Sequence, residues 1–272
     1  MNTGFFQKTL SSPVSLIMDK DPIRVYPDDP LTRVRALFRS TRARIAYVVD
    51  PRRGKLLGRV TRADILVITS LKSNALVESV MEEPPVVLSQ DSKVEDALRA
   101  MLRADEWYAP IVEGGILRGS LGLENIIRSM LGENPDYLAG REVEEIMTRE
   151  VKSVSPDDFV SSIWDLMREY NYAGLPVIDE KGRLVGIVTQ YDLLASGVKL
   201  ALESSGGPHH GPRVREVMTT SVEYLYPWSS VKEAAELIVR RGYGRLPVVE
   251  SETSRRLAGI VDREDIVRLA LG

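Results

Sequence analysis

Hydrophobic residues along the chain switch between two periods, and the switch occurs four times. The third instance is the clearest. Val151–Val154 alternates and is β-branched, which predicts a short strand. Ser155-Pro156-Asp157-Asp158 reads as a turn, with Asp158 placed to cap a helix. Val160, Ile163, Trp164 and Met167 then recur at three- and four-residue spacing, one face of an amphipathic helix. Leu175-Pro176-Val177-Ile178 predicts a strand, Glu180-Lys181-Gly182 a hairpin turn, and Leu184–Val188 the returning strand. Thr189 is placed to cap a last helix over Gln190–Ala195. The unit is strand, helix, strand, strand, helix.

The other three units follow the same order. Their helices are predicted at Leu31–Arg39, Val94–Leu102 and Val231–Arg240. Their central strands are predicted at Ile45–Asp50, Ala109–Glu113 and Leu246–Glu250, and the returning strands at Leu56–Val60, Ile116–Leu121 and Leu257–Val261. A methionine precedes each unit: Met18, Met81, Met147 and Met218, spaced 63, 66 and 71 residues apart. A fixed period of this length marks a repeat architecture. The boundaries are expected at 13–70, 76–131, 142–197 and 213–271, with linkers at Ser70–Ala75, Gly132–Gly140 and Ser204–Pro212. Units of about 55 residues bury little surface alone. Repeat one is therefore expected to share its core with repeat two, and repeat three with repeat four.

Composition narrows the function. Four units fill 272 residues and leave no room for a separate catalytic domain. The net charge of −3 speaks against non-specific nucleic-acid binding, which is driven by phosphate neutralisation. Cysteine is absent, which excludes disulfides and thiolate chemistry. No apolar run is long enough to span a membrane, and Met1–Pro13 lacks the features of a secretory signal. A soluble, cytoplasmic protein is the expectation.

The order of elements, the Leu175-Pro176-Val177 strand and the run Gly186-Ile187-Val188-Thr189 with Asp192 resemble the cystathionine-β-synthase (CBS) repeat over almost the whole chain. The resemblance implies an α/β fold of four CBS repeats whose sheets pair into two Bateman modules. It is similar in this to the γ subunit of AMP-activated protein kinase and to stand-alone archaeal four-repeat proteins. It also implies clefts between paired repeats that take adenine nucleotides. Some members bind S-adenosylmethionine or nucleic acid, and some bind nothing.

The residues suit such a ligand. A hydroxyl at a helix start, beside backbone N–H groups without helical partners, attracts phosphate. An Asp one turn on can accept hydrogen bonds from ribose hydroxyls. A small-residue strand before it admits a flat base. Thr189 and Asp192, with Ala173, Gly174, Leu175 and Pro176, meet these requirements in repeat three. The resemblance adds Thr148, Val151 and Lys152 to the base pocket. Thr61 and Asp64 repeat the pair in repeat one, where Arg44 and Ile45 match Ala173 and Gly174. Repeat four keeps Asp265 but has Asp262 for Thr, partly offset by Gly244-Arg245; Arg245 falls where the kinase subunit carries a phosphate-contacting Arg. Repeat two has Gly122 and Asn125 in place of Thr and Asp, and Trp107-Tyr108 in place of Ala173-Gly174, so its pocket is expected to be filled. The expected order of occupancy is three, one, four, two. A Thr-x-x-Asp run is equally an ordinary capping box.

Two features support other readings. Arg33–Arg62 holds ten Lys/Arg and one acidic residue, Asp50, enough to attract nucleotide phosphates, RNA or an acidic partner. His209-His210, in a Gly/Pro setting with no third ligand, reads as a loop and not as a metal site. No nucleophile–base arrangement and no Walker-type loop is visible. The expectation is a non-enzymatic sensor of AMP, ADP or ATP that needs no metal and regulates an unknown partner protein, with room for a homodimer. The alternatives are a nucleic-acid binder using Arg33–Arg62 and a ligand-free interaction scaffold.

Overall fold

The structure, a computed structural model, describes residues 4–67, 75–197 and 211–272. Most of the first and third expected linkers, and His209-His210, lie outside the described residues. Each repeat contains an amphipathic helix and an antiparallel hairpin. The helices are Leu31–Thr41, Val94–Arg103, Val160–Glu169 and Val231–Arg241. The hairpins pair in one register, which sets Ile45 opposite Thr61, Tyr108 opposite Gly122, Gly174 opposite Thr189 and Arg245 opposite Asp262. Each carries a register shift at the same place, so equivalent residues occupy equivalent positions four times over.

Three local expectations are corrected. The strand expected at Val151–Val154 contracts to one parallel bridge from Val154 to Val177, because only that residue reaches the hairpin. Asp158 does not cap the following helix; Phe159 occupies that position. Asp158 instead accepts the Ser155 N–H at 2.7 Å and closes the turn, as Asp29 does for Tyr26. The linker expected at Gly132–Gly140 is mostly helical. Leu123–Glu133 runs into it and Pro135–Ala139 follows, started by Asn134, whose side chain accepts the Tyr137 N–H, with proline at the first position.

The sheets pair one with two and three with four. Tyr47 and Val49 pack on Leu117, Tyr47 Oη lies 2.6 Å from Ser120 Oγ, and Arg59 grips Glu106 through two bonds of 2.5 and 2.6 Å. In the other pair, bridges join Arg183 to Arg256 and Ile187 to Thr219. The larger apolar clusters run the other way. Val34, Phe38 and Ile65 of repeat one share a cluster with Trp164, Met167 and Leu193 of repeat three. Leu98, Met101 and Ile127 of repeat two share one with Ala235, Ile238 and Ile266 of repeat four. The expectation that cores are shared within each pair therefore holds for the sheet faces only. The helical faces, which carry most of the aliphatic residues, are buried between the pairs.

The segment holding each methionine crosses to the partner repeat. Asp19 bridges Ser120, Glu82 bridges Arg59, Thr148 bridges Ile260 and Thr219 bridges Ile187. Glycines in the returning strands admit these crossings. A Cβ on Gly119, Gly259 or Gly186 would stand 2.7 Å from the sulfur of Met18, Met147 or Met218. The methionine period is thus the period of the crossings.

Candidate functional site

The crossings decide which residues meet. A cavity of about 760 Å³ opens at the centre and is lined from all four repeats. At one end stand Thr189 and Asp192 of repeat three with Thr219, Val222, Gly244 and Arg245 of repeat four. Thr189 and Asp192 form the expected capping box: Asp192 Oδ2 accepts the Thr189 N–H at 2.8 Å and its hydroxyl at 2.6 Å. Among the described residues, Asp192 Oδ1 accepts only the Thr219 hydroxyl, at 3.2 Å. One oxygen holds the helix start, and the other faces the cleft with lone pairs to spare.

The opposite end is built by Pro22, Ile23, Arg44 and Ile45 of repeat one with Gly122 and Asn125 of repeat two. Asn125 Oδ1 accepts the Gly122 N–H at 2.8 Å, so the amide reproduces the backbone cap that the aspartates make.

Between the two ends lie arginines. Arg62 and Arg263 are 5% and 2% exposed, and each is the first residue of its helix. Their guanidinium groups turn back to the carbonyls before the central strand. Arg62 Nε donates to Ala43 at 2.7 Å and Arg263 Nε to Tyr243 at 3.2 Å. Gln190 does the same to Tyr172 at 3.3 Å in repeat three. Arg44 crosses to repeat four and donates to the Gly242 carbonyl at 3.0 Å. Trp107 backs the group, with Arg44, Arg245 and Arg263 5.5 to 5.8 Å from its ring, and its indole N–H donates to Glu264.

Charge is unbalanced here. Arg263 pairs with Glu124, and Arg245 lies 3.7 Å from Asp262. Arg42, Arg44 and Arg62 have no carboxylate partner among the described residues; they face carbonyls and aromatic rings. Burial, reinforced by the neighbouring Arg263, lowers the Arg44 pKa to about 10. Burial, reinforced by Arg44, lowers that of Arg62 to about 9. Buried like charges raise each other's free energy, and an anion among them relieves it. The Arg245 Nε is buried without a hydrogen-bond acceptor.

Of the residues singled out in the sequence, Ala173, Gly174, Thr189, Asp192, Gly244, Arg245 and Arg44 line this cavity. Leu175 and Pro176 are buried in the strand, and Leu175 belongs to the apolar cluster shared with repeat one. Thr148 pairs with Ile260 on the strand that leads to Asp262, Lys152 lies over the Tyr170 ring, and Thr148, Val151 and Lys152 are not in the cavity lining beside Thr189. Thr219 and Val222, the corresponding residues after the next methionine, hold the expected place. Thr61 and Asp64 form a second capping box away from the cavity lining, with Asp64 Oδ2 2.6 Å from the Thr61 nitrogen. Arg44 consequently does not converge on them. Repeat two, expected to be closed by Trp107, presents Gly122 and Asn125 to the cavity, because Trp107 packs behind the arginines. Arg62, Arg263 and Thr219 were missed. The signals were the Arg after Thr61 and Asp262, and the recurrence of Met-Thr at Met147 and Met218.

The basic stretch Arg33–Arg62 is dispersed by the fold. Arg33 pairs with Asp29, Arg35 and Arg39 donate to the carbonyls of Ile65 and Ala195, and Arg59 is bound to Glu106. Arg42, Arg44 and Arg62 line the cavity. Among the described residues no group of three His, Cys, Asp or Glu is placed to hold a metal ion, and no helix is long and apolar enough to cross a membrane.

The CBS domain family matches residues 14–69, 77–132, 143–199 and 214–272. Protein MJ1404 of Methanocaldococcus jannaschii is 28% identical over 95% of the chain, which spans 62% of that relative's length. MJ1225 of the same organism is 26% identical over 94% of the chain and 97% of its own length. Its crystal structure, of a proposed archaeal homolog of γ-AMPK, superposes with a TM-score of 0.82, covering 94% of this chain and 99% of that one at 24% identity. A Pyrococcus horikoshii protein superposes at 0.65, with 24% identity over 95% of this chain and 99% of its own.

Proposed function

The chain belongs to the CBS-domain family, and from that premise we propose that it is a non-enzymatic sensor of adenine nucleotides. The observation that carries this reading is the joining, in one cavity, of an aspartate whose outward oxygen meets the Thr219 hydroxyl and of two arginines, Arg44 and Arg62, with no ion-paired carboxylate among the described residues. Its volume of about 760 Å³ falls in the range of small-molecule sites. Asp192 and Thr219 take the ribose. Val222, Leu246 and the backbone at Gly244 take the base. Arg44, Arg62 and Arg245 take the phosphates, and the bidentate geometry of guanidinium suits that role.

Residues from all four repeats meet this ligand, so its binding favours whichever packing of the two modules brings the arginines closest. A partner protein that distinguishes those packings reads the nucleotide. Seven of the ten basic residues of Arg33–Arg62 go to acidic residues, carbonyls or the cavity, and the three exposed on the turn, Arg52, Arg53 and Lys55, are few for the contiguous basic face that the nucleic-acid alternative needs.

Thermal unfolding with AMP, ADP and ATP tests the reading. A ligand selective for the folded state raises the melting temperature, by an amount that grows with the logarithm of its concentration over its dissociation constant. No shift with any adenine nucleotide at millimolar concentration would leave the ligand-free scaffold as the better account.

A further inference from the structure

Repeat two carries an anion of its own into the cavity. Gly122 stands opposite Tyr108 as Thr189 stands opposite Gly174, so Gly122 holds the place of the threonine. A Cβ on Gly122 would lie 2.7 Å from Glu124 Oε2 and 2.9 Å from Oε1. The Glu124 carboxylate has folded back over the glycine, into the space a threonine side chain would need. There Oε2 accepts a 3.0 Å hydrogen bond from Arg263 Nη1, which also donates to Tyr108 Oη at 2.6 Å. Arg263 is 2% exposed, whereas the Glu124 side chain is 25% exposed and lines the cavity. The arginine is fixed, and the carboxylate has a way out to solvent. Its charge also reaches Arg44, whose protonated form it favours.

We propose that Glu124 is a built-in competitor for ligand phosphate. Its carboxylate occupies the anion seat beside Arg263 and Arg44, so a phosphate gains these arginines only by displacing it. This rests on the reading of the cavity as a nucleotide site and adds a selection rule to it. At the end at Thr189 and Asp192 the cavity-lining carboxylate Glu223 lies 3.5 Å from Arg241 and, among the described residues, makes no ion pair with Arg44, Arg62, Arg245 or Arg263. The end at Gly122 and Asn125 accepts phosphate against the resistance of Glu124. Among the four helix starts, repeat two alone has glycine at the cap, and glycine is what the folded-back carboxylate requires.

Calorimetric titration of the full chain with inorganic tripolyphosphate, ATP and adenosine, on the wild type, Glu124→Gln and Gly122→Ala, tests the proposal. Glu124→Gln removes the competing charge and keeps the shape. It should tighten tripolyphosphate and ATP by about tenfold, the scale of one charge-assisted hydrogen bond, and leave adenosine unchanged. Gly122→Ala displaces the carboxylate by contact and should act in the same direction, which covers a failure of the first variant to fold. Unchanged or weaker anion binding in both variants would overturn the proposal. The two readings separate cleanly. Tighter tripolyphosphate with no nucleotide binding supports Glu124 and removes the nucleotide reading. Nucleotide affinity equal in all three proteins removes Glu124 and keeps that reading. Absence of binding by every ligand to every variant overturns both.

Discussion

Arg44 of the first repeat donates a hydrogen bond to the carbonyl of Gly242 in the fourth, at 3.0 Å. The two residues are 198 positions apart, and both line the cavity. Gly242 ends the helix Val231–Arg241 in the left-handed conformation, φ +70°, which turns its carbonyl out of the helix and leaves it free to accept. The arginine's hydrogen bond goes to a neutral acceptor, Arg263 presses on its charge and Glu124 answers it through space, so a ligand phosphate takes that charge by replacing Glu124.

Arg44→Ala should accordingly lower ATP affinity by about 1.5–3 kcal/mol, the range for a hydrogen bond to a charged group. AMP should lose less, because fewer phosphates reach the centre. Calorimetry with both ligands checks this. Equal losses for ATP, AMP and adenosine would make Arg44 a structural residue only.

Asp192 has two duties, one per oxygen, and they separate by substitution. Asp192→Ala removes the cap and should cost about 1 kcal/mol of stability besides weakening nucleotide binding. Asp192→Asn keeps one oxygen for the cap and should restore most of the stability. Its binding should stay weakened, since the amide cannot supply the charged acceptor for two ribose hydroxyls. Denaturant unfolding and calorimetry on the same two proteins give the comparison. Full affinity in Asp192→Asn would remove the ribose role.

Gly186→Ala tests the crossing that brings Thr219 to Asp192. A Cβ there would stand 2.7 Å from Met218 Sδ and 3.1 Å from the Thr219 carbonyl oxygen. The sulfur can move, but the carbonyl is held by the Ile187 N–H at 2.9 Å. A loss of about 1–3 kcal/mol is expected, the cost of overpacking. Urea unfolding showing no change would mean the strand accommodates the methyl group freely.

Asp265 gives a pH dependence with a definite sign. Burial first, and Asp262 second, push its carboxyl pKa up to about 7 from the ordinary value near 3.8. The folded chain then holds this proton at pH values where the unfolded chain has lost it. Stability should fall as pH rises from about 4 to 7 and level off above. Asp265→Asn should flatten that slope, since its side-chain oxygen can still accept the Asp262 N–H, now 2.8 Å from Asp265 Oδ2. Unfolding measured from pH 4 to 8 decides it. A wild-type profile that rises with pH would contradict the assignment.

The hairpins and the amphipathic helices were legible because they follow from neighbours in sequence. The alternation at Leu184–Val188 and the stripe Val160, Ile163, Trp164 and Met167 encode their own partners. The site was half legible. Thr189 and Asp192 are three residues apart on one helix start, and local capping chemistry brings them together. Thr219 lies 27 residues from Asp192 and Arg44 lies 198 from Gly242. No periodicity predicts those meetings, since they depend on which repeat each methionine segment crosses to. Glu124 was hidden for another reason. In sequence it is one more charge in the first helical turn, and only the space over Gly122 shows where its carboxylate goes.

Diffraction from crystals grown with millimolar ATP tests the central claim most directly. The account predicts ribose density on Asp192 and Thr219, with the phosphate chain running to Arg44, Arg62 and Arg245. An empty central cavity, or nucleotide bound only beside Thr61 and Asp64, would contradict it.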